Sequence, residues 1–332
     1  MVELVCMTGL YDSWHRQISY LRISITDFCN LNCVYCSEKP VPRLPMSEIL
    51  SYEEISRVIA VAAPLGITKV RFTGGEPLLR PQLSTLIRMT ANISGIDDIA
   101  LTTNGTLLSQ YAGELKDAGL HRVNVSLDTL KADRFKEITR LDKFEEVIAG
   151  IEEANRAGLT PVKINMVVMR GRNDDEVIDF ARKTITDGWN VRYIEDMPFG
   201  NEANGSGKMV SAREIQRQLA VLGRLEPCKT RQGNGPARYF RFPGANGTIG
   251  FISPVTEHFC STCNRLRLTA DGHLRPCLLD DDEIDIKGAM RGGASDEELR
   301  AVIQKAVAVK RERHHLNEGQ RAPEKSMRQI GG

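Results

Sequence analysis

The 332-residue chain has no long hydrophobic segment and almost no net charge. No apolar run approaches the ~18 residues that span a bilayer, and the first residues lack the basic and apolar stretches of a signal peptide. The 44 basic and 43 acidic residues leave a formal charge of +1, so no global field favours nucleic acid or a membrane surface. We therefore expect a cytoplasmic protein that binds neither nucleic acid nor membranes.

Cysteine is present and strongly clustered. Six of the eight cysteines fall in two segments, CNLNCVYC (29–36) and CSTCNRLRLTADGHLRPC (260–277). The cytosol keeps thiols reduced, so disulfides are a poor explanation for these groups. Clustered cysteines in such a chain indicate metal binding or redox chemistry. The other two, Cys6 and Cys228, are expected to be free thiols.

Strand-like and helix-like segments alternate from Tyr20 to about Met197. The start of the first helix is marked by a capping box, Ser51 with Glu54. Repeated β-then-α order implies a parallel sheet. Six such units predict an α/β fold of the incomplete (β/α)6 TIM-like barrel type. The predicted strands are residues 20–26, 69–74, 98–103, 121–127, 162–168 and 191–196.

The alternation ends at a Gly- and Asn-rich loop, residues 199–209. One helix and two short strands (237–242 and 248–253) then lead into the second cysteine segment. This change predicts a smaller C-terminal α+β domain. We divide the chain into an N-terminal arm (1–12), a partial barrel (13–209) and a C-terminal domain with a Gly-Gly tail (210–332).

Five of the predicted strands have one apolar and one polar face. Helices must cover the apolar face, so the polar residues point inward. Closed barrels of this kind fill their interior with apolar side chains, so this interior must hold water or a polar ligand. The alternative, a solvent-exposed face, is rare for parallel sheets. The sixth strand has charge on both faces and is ambiguous. Three inward cations without matching acids favour an anionic ligand such as phosphate. The inward residues are Arg22, Arg71, Thr102, Ser126, Lys163 and Asn165.

The first cysteine group, Cys29, Cys33 and Cys36, follows the first strand, where parallel folds place ligands. A structural zinc site is closed by four ligands, and no fourth Cys or His lies nearby in sequence. A [4Fe–4S] cluster held by three cysteines keeps one iron open. With Tyr35 before the last cysteine and GGEP (74–77) after the second strand, the chain resembles the radical S-adenosylmethionine (SAM) superfamily. The resemblance implies that SAM binds this iron and is cleaved to a 5′-deoxyadenosyl radical.

The second group, Cys260, Cys263 and Cys277, allows two interpretations. One is a structural zinc ribbon completed by His258, His273 or Cys228. The other is a second three-cysteine cluster at a substrate site, because Arg265 and Arg267 share one strand face beside it. His314 and His315 are expected on a surface helix.

Both groups together resemble one family, the GTP 3′,8-cyclases of molybdenum cofactor biosynthesis. The similarity covers nearly the whole chain and includes KVRFTGGEPL, LTTNGTLL, RYIEDMPFG and the terminal IGG. It implies two [4Fe–4S] clusters, at Cys29, Cys33 and Cys36 and at Cys260, Cys263 and Cys277. It implies SAM contacts at Tyr35, Gly75, Ser126 and Met197. It implies GTP contacts at Arg22, Arg71, Thr102, Lys163, Arg265, Leu266 and Arg267. It gives catalytic roles to Arg265, Arg267, Gly331 and Gly332, because the Gly-Gly tail, otherwise read as a frayed end, enters the active site.

The resemblance also implies partners: GTP as substrate, an electron donor, a downstream cyclic pyranopterin monophosphate synthase that receives the product, and a second copy in a homodimer. Two alternatives stay open. The first is a radical-SAM peptide-modifying enzyme with an auxiliary cluster. The second is a non-enzymatic zinc or iron–sulfur adaptor.

Overall fold

The computed structural model describes residues 9–36, 43–197, 209–228, 235–315, 323 and 325–331. Most of the predicted 199–209 loop, the first eight residues, Cys6 and Gly332 lie outside this part. No helix in the described ranges is both long and apolar enough to cross a membrane.

Six parallel strands form the first half of the architecture, as the alternating pattern predicted. Helices of the kind expected separate them, and the capping box at the first helix is confirmed, with Ser51 Oγ accepting from Glu54 N–H. The strands are β1 (Tyr20–Ser24), β2 (Lys69–Thr73), β3 (Asp98–Thr103), β4 (Arg122–Ser126), β5 (Lys163–Val168) and β6 (Asn190–Glu195). The helices are α1 (Tyr52–Ala62), α2 (Leu83–Ala91), α3 (Leu108–Asp117), α4 (Ala132–Thr139), α5 (Phe144–Arg156) and α6 (Val177–Thr186).

Within the described residues, the C-terminal part contributes six strands and four helices. The strands are β7 (Glu226–Pro227), β8 (Arg238–Arg241), β9 (Thr248–Ile252), β10 (Arg265–Leu268), β11 (His273–Arg275) and β12 (Ile284–Asp285). The helices are α7 (Ala212–Leu219), α8 (Ile286–Arg291), α9 (Asp296–Ala308) and α10 (Met327–Ile330).

All twelve strands belong to one sheet, in the order β12-β11-β10-β1-β2-β3-β4-β5-β6-β9-β8-β7. Strands β9 and β10 extend the six-stranded parallel sheet at its two sides, pairing in parallel with β6 and β1. The C-terminal residues therefore continue the sheet on both sides. The sequence did not indicate this pairing.

The hydrophobic core lies between the outer face of the sheet and the helices. Alternate strand residues such as Leu21, Ile23, Val70 and Phe72 are buried there. Burial of these side chains supplies the main favourable free energy of folding. The polar residues between them face the inside of the curved sheet, as predicted.

Candidate active site

The first cysteine triad lies in the loop after β1, at the carboxyl edge of the sheet. Cys29, Cys33 and Cys36 all line the interior cavity. Leu31 N–H donates to Cys29 Sγ at 3.4 Å. Burial raises the pKa of Cys29 to about 11 and that of Cys33 well above its usual value. The free thiols are therefore neutral at pH 7, and binding iron to them would release protons.

The GGEP segment fastens this loop to β2. Gly75 N–H donates to Thr26 O at 2.7 Å, and Glu76 N–H donates to Phe28 O at 2.7 Å. A Cβ atom at Gly75 would lie 2.3 Å from Phe28 O. Only glycine lets the two backbone segments approach this closely.

Glu76 is fully buried and joins the ends of β2 and β3. Its carboxylate accepts hydrogen bonds from Thr103 Oγ1 (2.7 Å), Asn104 N–H (2.6 Å) and Leu78 N–H (3.0 Å). Burial outweighs these bonds and raises the pKa of Glu76 to about 7. Glu76 thus holds the edge of the sheet on which the cysteine loop sits.

Tyr35 and Asp128 form a second anchor for the loop. The Tyr35 hydroxyl donates to Asp128 Oδ2 at 2.8 Å, and Val167 N–H donates to Oδ1 at 2.9 Å. Burial raises the pKa of Asp128 to about 6. These contacts make Asp128 a structural partner of Tyr35.

The second triad lies at the opposite edge of the sheet. β10 runs parallel to β1, with Arg265 paired with Tyr20 at the start of both strands. Cys263 precedes this pair by two residues. β11 runs antiparallel to β10, so Cys277, which follows β11, lies at the same amino-terminal edge. All three cysteines of this triad line the same cavity as the first triad.

Two buried cations hold the second triad. Lys310 Nζ donates to Arg265 O at 3.1 Å and also to Pro276 O. Arg16 donates to Cys260 O at 2.7 Å and is paired with Asp12 at 2.6 Å. Burial raises the pKa of the Cys263 thiol, but Arg265 and Lys310 outweigh it and lower the pKa to about 6.

The donor geometry bears on the choice between an iron–sulfur cluster and a single zinc ion. Among the described residues, the one group of three His, Cys or acidic ligands with all donor atoms within 4.8 Å of one another is His258, Cys260 and His314. Neither cysteine triad is that compact. Tetrahedral zinc with bonds of ~2.3 Å would bring sulfurs to roughly 3.8 Å. The wider triads suit the larger [4Fe–4S] group.

His314 is buried, and the expectation that it lies on a surface helix is wrong. Its Nε2 lies 2.9 Å from Pro254 O and 3.1 Å from His258 Nδ1. A zinc ion at this histidine pair would use Cys260 and so compete with the second triad. Metal analysis would therefore test the alternative of a zinc ion bound with His258.

Three arginines stand side by side across β10, β1 and β2. Arg267 is paired with Arg22, and Arg22 with Arg71. Burial lowers the pKa of Arg22 to about 10, with Arg71 and Arg265 adding to the effect. Like charges on paired strand positions destabilise a sheet. Asp128 is the one carboxylate among the described cavity-lining residues. The lining basic residues are Arg22, Lys69, Arg71, Arg122, Lys163, Arg192, Arg265, Arg267, Lys310 and Arg328.

Several of these cations were missed by sequence reasoning. Arg192 lies on β6. Because this strand has charged residues on both faces, the sequence did not indicate which of them point into the cavity. Lys69 and Arg122 lie at strand starts and share Asp98, at 3.1 and 2.6 Å. These two ion pairs outweigh burial and lower the pKa of Asp98 to about 2.

The C-terminal tail reaches the carboxyl edge of β1 and β2. Arg22 Nη2 donates to Gly331 O at 3.4 Å. Gly331 has φ +78°, and a Cβ there would lie 2.9 Å from Ser24 Cβ and 3.0 Å from Thr73 Cγ2. Gly331 therefore fits a space that admits no side chain, whereas Gly332 lies outside the described residues.

The remaining predicted site residues divide into two groups. Gly75, Ser126, Met197 and Thr102 line the cavity with Tyr35 and the predicted cations. Leu266 does not, since its side chain is buried in the core on the outer face of β10.

Two family models match the chain. One, described as the radical SAM superfamily, matches residues 23–184, and one described as Molybdenum Cofactor Synthesis C matches residues 189–316. Among similar proteins, a GTP 3′,8-cyclase of Pelotomaculum thermopropionicum is 52% identical over 97% of this chain and 100% of its own. A GTP 3′,8-cyclase of Moorella thermoacetica is 51% identical, with the same coverage of 97% and 100%.

Solved structures support the fold. Streptococcus suis SuiB aligns with a TM-score of 0.60 over 93% of this chain and 76% of its own, at 14% identity. A structure of anSMEcpe with bound AdoMet aligns with a TM-score of 0.57 over 90% and 82%, at 16% identity.

Proposed function

The chain belongs to the GTP 3′,8-cyclase family, radical-SAM enzymes that catalyse the first step of molybdenum cofactor biosynthesis, and we propose how its own residues serve that reaction. The observation that carries the proposal is one cavity with a cysteine triad at each edge of the sheet and a row of arginines between them. When bound, the group at Cys29, Cys33 and Cys36 supplies the electron that cleaves SAM, and the resulting radical takes the 3′ hydrogen of the GTP ribose.

The residues at the carboxyl edge hold SAM in this proposal. Gly75 keeps the backbone of the GGEP segment close to the cysteine loop, and Tyr35 is fixed by Asp128. Ser126 and Met197 line the same side of the cavity. Together they position the sulfonium and shield the radical from water.

The arginine row binds the GTP triphosphate. Arg22, Arg71 and Arg267 are paired across neighbouring strands, and each can donate to phosphate oxygens in the planar, forked manner of guanidinium. Lys163 and Thr102 add further donors. The triphosphate relieves the like-charge repulsion of the ligand-free cavity.

The second triad lies at the far end of the cavity, where the guanine base is placed in this proposal. Arg265 flanks Cys263 there, with Nη2 3.6 Å from the sulfur. Fixing the base at one end and the phosphates beside the strands holds C3′ near C8, which favours cyclisation to 3′,8-cyclo-7,8-dihydro-GTP. The Gly331 carbonyl accepts a hydrogen bond from Arg22 and so helps to orient that guanidinium group.

Anaerobic reconstitution tests this proposal. The protein should bind about eight irons and eight sulfides, as two [4Fe–4S] clusters require. With GTP, SAM and dithionite it should consume GTP in step with 5′-deoxyadenosine formation. Formation of 5′-deoxyadenosine without loss of GTP would contradict the substrate assignment and favour a peptide substrate. One zinc without visible absorbance would favour the adaptor alternative.

We also propose a cytoplasmic location, because seven described cysteines are free thiols and a reducing compartment preserves them. The product would pass to a cyclic pyranopterin monophosphate synthase. The division into residues 1–12, 13–209 and 210–332 remains our proposal for the domain organisation.

A further inference from the structure

The outer side of the first cysteine loop has a pocket of its own. Cys29 lines both this outer pocket and the interior cavity, and so does Arg328. The outer pocket therefore lies against the far side of the residue that holds the first triad. An electron entering from outside would have a short path here.

The outer pocket carries positive charge. Arg43, Arg140 and Arg328 all line it, and Arg43 and Arg140 are exposed. Asp27, the acidic residue among the described lining residues, is buried and accepts from Leu44 N–H at 2.8 Å. The pocket thus presents guanidinium groups outward, and a partner that matches it must be acidic.

Exposed apolar side chains sit among these arginines. Phe28 is 39% exposed and Leu141 is 41% exposed. The Arg43 guanidinium lies 4.5 Å from the centroid of the Phe28 ring. Aromatic and arginine side chains are enriched where proteins dock.

Arg140 ends helix α4 in the left-handed conformation that commonly closes a helix, with φ +68° and its N–H donating to Lys136 O. This helix end places Arg140 and Leu141 together at the outer pocket.

We propose that the outer pocket is the docking site of an acidic one-electron donor protein that reduces the enzyme. The proposal rests on the proposed function, since only a reductive cleavage needs such a donor. A flavodoxin is the probe, because its reduced flavin passes from the anionic hydroquinone to the neutral semiquinone by giving up one electron and no proton. That electron is consumed in breaking the C5′–S bond of SAM, with methionine as the leaving group.

The first test measures binding. Flavodoxin is immobilised, and the reconstituted enzyme is titrated over it anaerobically at low and high salt. The variant Arg43→Glu/Arg140→Glu should bind about tenfold more weakly at low salt, and the parent should lose affinity as salt rises. The matched control is Lys116→Glu/Arg224→Glu, which makes the same charge change at exposed residues outside the outer pocket. Equal binding by both variants, or no binding by the parent, would overturn the proposal.

The second test separates donor docking from chemistry. With dithionite, which needs no docking site, the Arg43→Glu/Arg140→Glu variant should form 5′-deoxyadenosine at the parental rate. With reduced flavodoxin its rate should fall about tenfold. Equal loss with both reductants would overturn the docking proposal, whereas absence of turnover in the parent with dithionite would instead reject the proposed function. Self-association of the parent that the charge reversals abolish would assign the outer pocket to a second copy of this chain and overturn the donor proposal.

Discussion

Arg22 on β1 and Arg267 on β10 occupy paired positions on neighbouring parallel strands, so two cations face one cavity at the same level. Burial lowers the pKa of Arg267 well below its usual value, and Arg22 and Arg265 add to the shift. In the ligand-free protein, repulsion between these cations therefore lowers the free energy of unfolding, and a bound anion would remove this repulsion.

Arg267→Met should separate stability from binding. We expect a higher melting temperature without ligand, because one of the facing cations is gone. GTP affinity should fall about 10- to 100-fold, as expected for loss of a charge-assisted hydrogen bond. Calorimetric melting and a GTP titration measure the two effects.

The control is Arg275→Met on the neighbouring strand β11. Arg275 is also buried, but it is paired with Glu283 and donates to Asp280 O. Its loss should lower the melting temperature and leave GTP affinity unchanged. If both variants shift stability in the same direction, the repulsion argument is wrong.

GTP binding should take up a proton at pH 8. Burial lowers the pKa of Lys163 from 10.5 to about 6, with help from Arg192 and Arg122. Lys163 is then neutral in the ligand-free protein, and the triphosphate should restore its charge. Titration calorimetry in buffers of different ionisation heat measures the uptake, which Lys163→Met should reduce. A binding heat that is independent of the buffer would contradict this prediction.

Lys163 should also make the stability of the protein depend on pH. Between about pH 6 and 10.5 the folded protein binds fewer protons at Lys163 than the unfolded chain does. The free energy of unfolding should therefore rise with pH across this window through Lys163. Urea titrations of the parent and Lys163→Met would compare the slopes.

Glu76→Gln should destabilise the carboxyl edge at pH 8. Both oxygens of Glu76 accept hydrogen bonds from N–H or O–H donors. A glutamine would turn its NH2 toward one of those donors, at a cost of about 1–3 kcal/mol in the free energy of unfolding. Urea denaturation measures this loss.

The pH dependence of the unfolding free energy provides a second test of Glu76. Because burial raises the pKa of Glu76 from 4.5 to about 7, the folded state binds more protons than the unfolded state between these values. Its contribution to stability should fall as pH rises through this window, and the slope should be absent in Glu76→Gln. If Glu76→Gln keeps the parental slope of unfolding free energy against pH, the slope belongs to another group.

Gly75→Ala should disturb the first triad selectively. The new methyl would lie 2.3 Å from Phe28 O, so the cysteine loop must move. We expect about four of eight irons to be lost on reconstitution, with the second cluster retained. Gly113→Ala is the control: nothing lies within 4 Å of its Cβ in helix α3, so it should keep all irons and gain up to ~1 kcal/mol. Full iron content in Gly75→Ala would contradict the prediction.

Gly331→Ala should displace the tail from the ends of β1 and β2. Its Cβ would meet Ser24 at 2.9 Å and Thr73 at 3.0 Å. GTP consumption should fall at least tenfold, with less GTP consumed per 5′-deoxyadenosine. Gly293→Ala shares the positive φ, at +90°, but meets open space, and it should be silent in this assay. An unchanged ratio in Gly331→Ala would show that the tail does not act in the cavity.

Much of the interior was predictable because strand alternation is a local property. Arg22, Arg71, Thr102, Ser126 and Lys163 follow from polar residues between apolar ones, and all line the cavity. Arg192 did not follow, because charge on both faces of β6 removes the signal. The cysteine spacing was equally local, and family resemblance then supplied the ligand roles.

Long-range pairing was not predictable in the same way. Nothing in residues 248–268 indicates that β9 and β10 pair with β6 and β1, because such pairing depends on register across the whole sheet. His314 was misjudged for a related reason: its burial depends on contacts with Pro254 and His258, which are far away in sequence.

The placement of the triads beyond opposite ends of β1 and β10 makes their separation a matter of strand length. The four residue steps of β1 alone span about 13 Å. Loops that hold no cysteine can lengthen or shorten without altering that gap. To move the two metal centres closer, residues would have to be removed from several paired strands at once, and each removal would turn inward cations outward. The sheet therefore sets the distance between the site of SAM cleavage and the site that holds the guanine base.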